Sequence, residues 1–372
     1  MNFNKLKKYT RIGLNKVKSN IQSRVFLRTG KWMPKAEKVQ YTLSSKCNFR
    51  CKMCPSWEKG FKEKIEEYIS KERMIELIDE MKTLGIREFC VTGGEPLLFW
   101  KDKIFPLLKH ANQKGFYTHF VTNGYLLTKE ILEEYNRSGG GHISLSLDAL
   151  NAEKHDDLRG FQGAYQAFQK AVKVFNKGDY SNIKIKLNFV LSNENLDEVE
   201  KVINYAIKND FLFFIQPFDL FDYQNRRTLK DKQKETNLWV QRKNYAKLRK
   251  VIKRLLELKE KHPEIILNSK KHIEDFYPYF TKELKDRTHN PCFGLIDRIS
   301  IHPKGEVNAC KFGKIYDLKK GSLTDFIQSP ERKKFIQASL KCQIGCLIGC
   351  FYRPTFKDLL INGPRQLLKL VK

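Results

Sequence analysis

The sequence predicts an α/β protein built on a parallel sheet. Apolar, strand-like runs alternate with amphipathic helical segments of about 10–15 residues between residues 38 and 217, which is the pattern of βα units. Polar and glycine-containing motifs follow several strands, at the edge of the sheet where such folds bind ligands. Apolar residues make up 41% and aromatic residues 12% of the 372 residues, which argues against disorder.

Residues 71–84 are predicted to form an amphipathic helix. It is preceded by Ser70, a predicted N-cap, and Gly85 ends it. Its apolar residues share one face: Met74, Leu77, Ile78, Met81 and Leu84. The other helical segments are 101–114, 128–137, 151–177 and 195–208. The six predicted strands are 38–44, 88–92, 117–122, 142–148, 183–191 and 211–217.

Charge gives information about partners rather than fold. The net charge is +28, and residues 1–46 hold 12 Lys or Arg against one acidic residue, Glu37. This tract is either a solvated basic face or a surface attracted to an anionic membrane or another polyanion. The sequence has no apolar run of about 18 residues and no apolar segment typical of a signal peptide. We therefore expect a cytoplasmic protein that could touch a membrane peripherally.

The nine cysteines carry most of the functional information. Without a sign of export, clustered cysteines predict metal binding or redox chemistry rather than structural disulfides. Cys90 stands alone in a buried strand and is interpreted as a small core residue. Cys47, Cys51 and Cys54 follow the first strand with the spacing C-x3-C-x2-C. Three thiols on a four-iron cluster leave one iron open, as in catalytic metal sites; a zinc site with a distant fourth ligand is the alternative.

This cysteine motif resembles the signature of the radical S-adenosylmethionine (radical SAM) enzymes. The resemblance implies a partial (β/α)6 TIM-type barrel with parallel strands, plus a [4Fe-4S] cluster whose open iron binds the amino and carboxylate groups of SAM. It also implies reductive cleavage of SAM to a 5′-deoxyadenosyl radical, which abstracts hydrogen from a substrate carbon. Met53 stands where the family usually has an aromatic residue packed on adenine; Met is apolar and polarisable and can pack there.

Other candidate SAM contacts follow the later strands. Gly93, Gly94, Glu95 and Pro96 end the second strand, and the resemblance implies that this run binds the SAM amino group. It also places Ser146 and Asp148 near the ribose or carboxylate. Arg159 could pair with the SAM carboxylate, or form a surface ion pair. Looser candidates are Asn188, Val190, Asn193 and Gln216. Asp219, Asp222 and Tyr223 are either proton acceptors at the barrel mouth or solvated loop residues.

The C-terminal region contains five further cysteines. A predicted β-hairpin turns at Pro303-Lys304-Gly305, and the spacing of Cys292, Gly305 and Cys310 resembles the start of a SPASM/twitch extension. A full SPASM extension holds two clusters and needs more thiols than are available. We therefore expect one auxiliary [4Fe-4S] cluster on Cys292, Cys310 and two of Cys342, Cys346 and Cys350. A structural zinc site would use the same thiols.

The predicted organisation and function follow from these motifs. The segments are 1–37, a basic extension; 38–220, the partial barrel; 221–290, a helical connector; 291–352, a small Cys-rich β-hairpin/α domain for the auxiliary cluster; and 353–372, a basic tail. The resemblance implies an electron donor such as a flavodoxin or ferredoxin, and a peptide, protein, small alcohol, sugar or lipid-linked substrate. The alternative is a non-catalytic zinc or iron–sulfur module that binds a polyanion such as nucleic acid; it leaves the strand-end motifs unexplained.

Overall fold

The structure, a computed structural model, describes most of the predicted barrel and part of the C-terminal region. The described residues are 35–54, 56–219, 237–281, 294–309 and 313–340, with Leu347 and scattered residues between 18 and 29. None of the described helices is both long and apolar enough to cross a membrane.

Six parallel strands form the body of the sheet. They are Lys38–Thr42 (β1), Glu88–Thr92 (β2), Tyr117–Thr122 (β3), His142–Ser146 (β4), Lys184–Leu191 (β5) and Leu212–Pro217 (β6). Each pairs in parallel with the next, so chain order and spatial order agree. The described sheet is not closed, which confirms the partial barrel.

Helices connect the strands and cover the outer face of the sheet. They are Ser56–Gly60 (α1), Lys71–Thr83 (α2), Phe105–Gln113 (α3), Lys129–Arg137 (α4), Ala152–Arg159 (α5), Ala164–Lys177 (α6) and Val199–Lys208 (α7). The side chain of Ser70 accepts from the Arg73 amide at 3.1 Å, which confirms the predicted N-cap of α2. The segment 101–114 differs from its prediction: a short 3-10 turn and a π-helical turn (Trp100–Ile104) precede α3, which begins with Phe105-Pro106.

The two faces of the sheet have different chemistry. Outward side chains such as Tyr41, Phe89, Phe120, Leu187 and Phe213 are buried together with the apolar faces of the helices in one core. Since successive side chains of a strand point to opposite faces, the intervening residues point inward. Many of these are polar: Gln40, His119, His142, Ser144, Lys186 and Asn188. The inner surface of this half-barrel is therefore hydrophilic beneath the edge where the site lies.

The C-terminal strands continue the same sheet. Arg298–Ile301 (β7) pairs in parallel with β1, and Glu306–Asn308 (β8) and Lys314–Asp317 (β9) follow as antiparallel strands. Gly305 has φ of 79° in the turn between β7 and β8, a conformation that suits glycine, and this confirms the predicted hairpin. The remaining helices are Tyr245–Lys261 (α8), Lys270–Glu274 (α9), Phe276–Thr281 (α10), Leu323–Gln328 (α11) and Pro330–Leu340 (α12).

Candidate functional site

A cavity of about 280 Å³ opens at the carboxyl ends of the parallel strands. Ligands of open α/β sheets and barrels bind at this edge. Of the sequence-predicted site residues, those in its lining are Cys47, Cys51, Met53, Cys54, Gly93, Gly94, Glu95, Ser146, Arg159, Val190, Gln216 and Asp219. The full lining thus combines residues from the carboxyl ends of five strands, β2 to β6, with the cysteine loop that follows β1.

The cysteine loop is held by a half-buried carboxylate, that of Glu63. Glu63 Oε2 accepts hydrogen bonds from the Ser45 amide at 2.8 Å and Ser44 Oγ at 3.0 Å, and also from the Tyr68 hydroxyl. At the other end of the loop, the Lys52 amide donates to Leu158 O at 3.0 Å. These contacts fix the backbone before Cys47 and between Cys51 and Cys54.

The three thiols lie together where they could hold an iron–sulfur cluster. Cys47, Cys51 and Cys54 are free and partly buried in the same cavity. Within the described part of the chain, no three His, Cys, Asp or Glu side chains are arranged to hold a single metal ion. In a cluster each thiolate binds a different iron, so the sulfurs are spread more widely than around one ion. Burial raises the pKa of the Cys47 thiol to about 11 and also raises that of Cys51, so the apo loop favours neutral thiols that deprotonate on binding a cluster.

The glycine pair brings the end of β2 against the cysteine loop. The Gly94 amide donates to Ser44 O at 2.6 Å, and the Glu95 amide donates to Lys46 O at 2.9 Å. A Cβ atom on Gly94 would lie 2.1 Å from Lys46 O, and one on Gly93, whose φ is 147°, would lie 2.4 Å from Ser44 O. Because no side chain fits in this space, the glycines are needed for the two segments to meet.

The Glu95 carboxylate joins the ends of β2 and β3. It is 1% exposed and accepts from the Leu97 amide at 3.0 Å, Thr122 Oγ1 at 2.8 Å and the Asn123 amide at 2.8 Å. Burial raises the pKa of Glu95 to about 7, and the hydrogen bonds oppose that shift. Oε2 accepts only one of these bonds, so it can still receive a ligand donor. Its predicted contact with the SAM amino group stays a prediction.

Asp148 and Arg159 form a buried ion pair beside the cysteines. Arg159 Nη2 lies 2.6 Å from Asp148 Oδ2, and the Val190 amide donates to Asp148 Oδ1 at 2.8 Å. The positive charge of Arg159 also opposes the rise in the pKa of the Cys51 thiol that burial causes. The pair is not at the surface: Arg159 is 8% exposed and Asp148 is 0% exposed. Asp148 therefore positions Arg159 as a fixed cation at the cavity wall.

The looser candidates separate into two groups. Val190 and Gln216 line the cavity, whereas Asn193 faces the connector, where its side chain accepts from the Gln241 amide at 3.1 Å and Asn244 Nδ2 at 2.8 Å. Pro96 is buried in the 3-10 turn beside the cavity wall. Asp219 is in the wall, while Asp222 and Tyr223 lie outside the described residues.

Sequence reasoning missed several wall residues. Asn123 precedes Gly124, whose φ is 85°, so it lies in a turn. It also lines the cavity, and its Nδ2 donates to Asn48 Oδ1 at 2.8 Å. Its position directly after β3 was the available signal. Phe49 and Trp57 also line the cavity. Trp57 and Phe61 have the Arg50 guanidinium 5.3 and 4.8 Å from their ring centres.

The auxiliary-cluster prediction concerns residues that the structure does not describe. Cys292, Cys310, Cys342, Cys346 and Cys350 all lie outside the described residues, as do most of the basic extension and the basic tail. His302 lies in the turn after β7, where its amide donates to Glu306 O at 2.8 Å.

A parallel half-barrel with three free thiols at the carboxyl ends of its strands is typical of an α/β-barrel enzyme that uses a bound cofactor. Residues 41–206 match the family model of the Radical SAM superfamily. This match to the radical SAM superfamily covers 166 of the 372 residues, and it supports an enzyme rather than the non-catalytic binding module.

Individual relatives agree with this assignment. The chain is 29% identical over 168 residues to an AdoMet-dependent heme synthase of Methanosarcina barkeri (strain Fusaro / DSM 804), across 45% of this chain and 46% of the relative. The alignment thus spans just under half of that relative's length. Among solved structures, SuiB of Streptococcus suis has a TM-score of 0.61 at 16% identity, over 82% of this chain and 68% of SuiB. Native anSMEcpe with bound AdoMet has a TM-score of 0.60 at 16% identity, over 90% of this chain and 98% of that one. At such identities the two structures establish the fold alone.

Proposed function

We propose that this chain reductively cleaves SAM to methionine and a 5′-deoxyadenosyl radical, which takes a hydrogen atom from a substrate carbon. The observation that carries the proposal is the joining of three free thiols, a glycine turn and a buried arginine in one cavity. A [4Fe-4S] cluster on Cys47, Cys51 and Cys54 would supply the electron for the cleavage.

The remaining residues bind and orient the cofactor in this proposal. Arg159, held by Asp148, offers a charge-assisted contact to the SAM carboxylate. Oε2 of Glu95 has acceptor capacity for the SAM amino group. Met53, Ser146 and Val190 give apolar and hydroxyl surface for the adenosine portion. A fixed geometry places the target carbon against the radical and excludes water, which is the protein's role in such cofactor chemistry.

The auxiliary centre and the electron donor belong to the proposal as well. Four of the five C-terminal cysteines would hold one [4Fe-4S] cluster, which could accept an electron from the substrate radical and complete a two-electron oxidation; a zinc ion is the competing occupant. A flavodoxin or ferredoxin would supply the first electron. Residues 1–46 contain 12 Lys or Arg. Their positive charge supports contact between this tract and an anionic membrane surface on its cytoplasmic side.

The decisive experiment is SAM cleavage by the anaerobically reconstituted, dithionite-reduced chain. We expect 5′-deoxyadenosine and methionine in equal amounts, and none from the variant in which Cys47, Cys51 and Cys54 are all Ala. Cys90→Ala is the matched control because Cys90 is a buried strand thiol outside the cavity lining. Equal product from the triple variant and the control would overturn the proposal. If the triple variant still contains about four iron atoms per chain, that result would support the auxiliary cluster.

A further inference from the structure

The inner face of the half-barrel is polar below the cavity. Val121, Ser146 and Val190 line the cavity on β3, β4 and β5. Side chains two positions earlier in each strand point to the same face and lie one step deeper. These deeper residues are His119, Ser144 and Asn188. The register His119↔His142, Ser144↔Lys186 and Ser146↔Asn188 makes them diagonal neighbours on three adjacent strands.

Each of these three side chains has a buried polar atom without a hydrogen-bond partner. The atoms are His119 Nδ1, Ser144 Oγ and Asn188 Oδ1, and Ser144 is 0% exposed. Polar groups buried in proteins are almost always hydrogen-bonded, because leaving them unpaired costs free energy. Three such atoms on one inner face are therefore available to bond a polar group of a ligand.

Arg298 contributes a donor from the far side of the same space. It lies on β7, is 9% exposed, and donates from Nη1 to Gln40 Oε1 at 2.6 Å, while its Nε has no partner. Gln40 points inward because Val39 and Tyr41 are in the outer core. Arg298 is close enough to His119 to influence the charge state of that ring.

Charged side chains of both signs act on the His119 ring. They include the cations Lys186, Lys38 and Arg298 and the carboxylate of Glu88. Burial, together with these cations, lowers the pKa of His119 well below its usual value, so the imidazole is neutral at pH 7. The buried guanidinium of Arg298, which donates to the neutral side chain of Gln40, supplies the positive charge that favours an anionic occupant.

We infer that His119, Ser144, Asn188 and Arg298, the lumen cluster, bind a carboxylate group of the substrate. The inference rests on the proposed function, since it places the substrate's acidic end one step below the SAM cavity. Arg298 Nε–H and Ser144 Oγ–H donate to the carboxylate oxygens, and His119 donates through Nδ1–H in the matching tautomer. Asn188 accepts from a neighbouring donor of the same substrate.

The test uses the anaerobic holoenzyme with saturating SAM, which occupies the Arg159 end of the cavity. Propionate is the probe and propionamide its uncharged counterpart, at ionic strength matched with chloride, with binding followed by saturation-transfer NMR. We expect saturable binding of propionate that exceeds binding of propionamide. Arg298→Gln should weaken propionate binding about ten- to a hundredfold, the effect of losing one charge-assisted hydrogen bond. Arg137→Gln changes the net charge equally on an exposed helix position and should leave binding unchanged.

The outcomes separate this inference from the proposed function. 5′-Deoxyadenosine formation without saturable propionate binding, or with equal binding of both probes, would overturn the lumen cluster and leave the proposed function intact. Failure of SAM cleavage would remove the proposed function and the inference with it. If Arg298→Gln does not fold, Ser144→Ala decides: it removes one unpaired hydroxyl, and unchanged propionate affinity in that variant would also refute the cluster.

Discussion

Replacing Asp148 by Asn should destabilise the protein strongly. The substitution keeps an oxygen for the Val190 amide, which is 2.8 Å from Oδ1, but it removes the charge that faces Arg159 Nη2 at 2.6 Å. Arg159 remains protonated because a guanidinium does not lose its proton in proteins. An uncompensated buried cation costs about 3–5 kcal/mol when its partner is removed. We therefore expect Asp148→Asn to lower the free energy of unfolding by about that amount.

Urea denaturation of the anaerobically purified chain measures this change, and the chain offers a matched control. Lys52 and Asp157 form an ion pair of similar length, 2.5 Å, but their side chains are 42% and 54% exposed. Asp157→Asn should cost less than about 1 kcal/mol, since exposed pairs contribute little. SAM binding should also weaken in Asp148→Asn, because Arg159 loses its support. Equal losses of stability in the two variants would refute the buried pair as the element that positions Arg159.

Two further perturbations test the site and the fold. Gly94→Ala should abolish cluster loading, measured as iron per chain, because its Cβ would lie 2.1 Å from Lys46 O; Gly85→Ala, which adds a Cβ in open space, should keep its iron and lose only about 1 kcal/mol of stability. Full iron in Gly94→Ala would contradict the close approach. His272 is buried and burial lowers its pKa to about 4, so the unfolded chain gains a proton near pH 6.5 that the folded ring does not, and stability falls as the pH drops. Between about pH 7 and pH 5 this histidine should account for a loss of about 2 kcal/mol in the free energy of unfolding. In His272→Gln the loss over the same pH range should be smaller by about that amount, and an unchanged loss would count against the buried neutral ring.

Much of the fold could be predicted from the sequence because short-range sequence patterns determine its strands and helices. Strand β2 was predicted with its observed bounds, and α2 with its N-cap, since alternation, capping and glycine termination are short-range signals. The start of α3 was not predicted correctly. Trp100 begins a π-helical turn there, with its indole Nε1 donating to Glu134 at 2.6 Å. That contact with a later helix is tertiary, and no local pattern encodes it.

Site residues could be predicted from the sequence only where they belong to a recognisable motif. Cys47, Cys51 and Cys54 were found from spacing alone, and they line the same cavity as Gly94. The lumen cluster left no motif, because its members are spread over four strands and meet through inward-facing periodicity and register. Arg298 is the clearest example. The residues around it in the sequence do not indicate that β7 pairs with β1 and places the Arg298 guanidinium on the inner face.

The most direct test of the whole account is electron paramagnetic resonance of the reduced, anaerobic chain before and after SAM is added. With Cys292, Cys310, Cys342, Cys346 and Cys350 replaced by Ala, any cluster signal must come from the N-terminal thiols. We expect a reduced [4Fe-4S] signal whose g-values shift when SAM binds the open iron. A cluster signal that is identical with and without SAM, or a protein that retains zinc and no iron, would contradict the account.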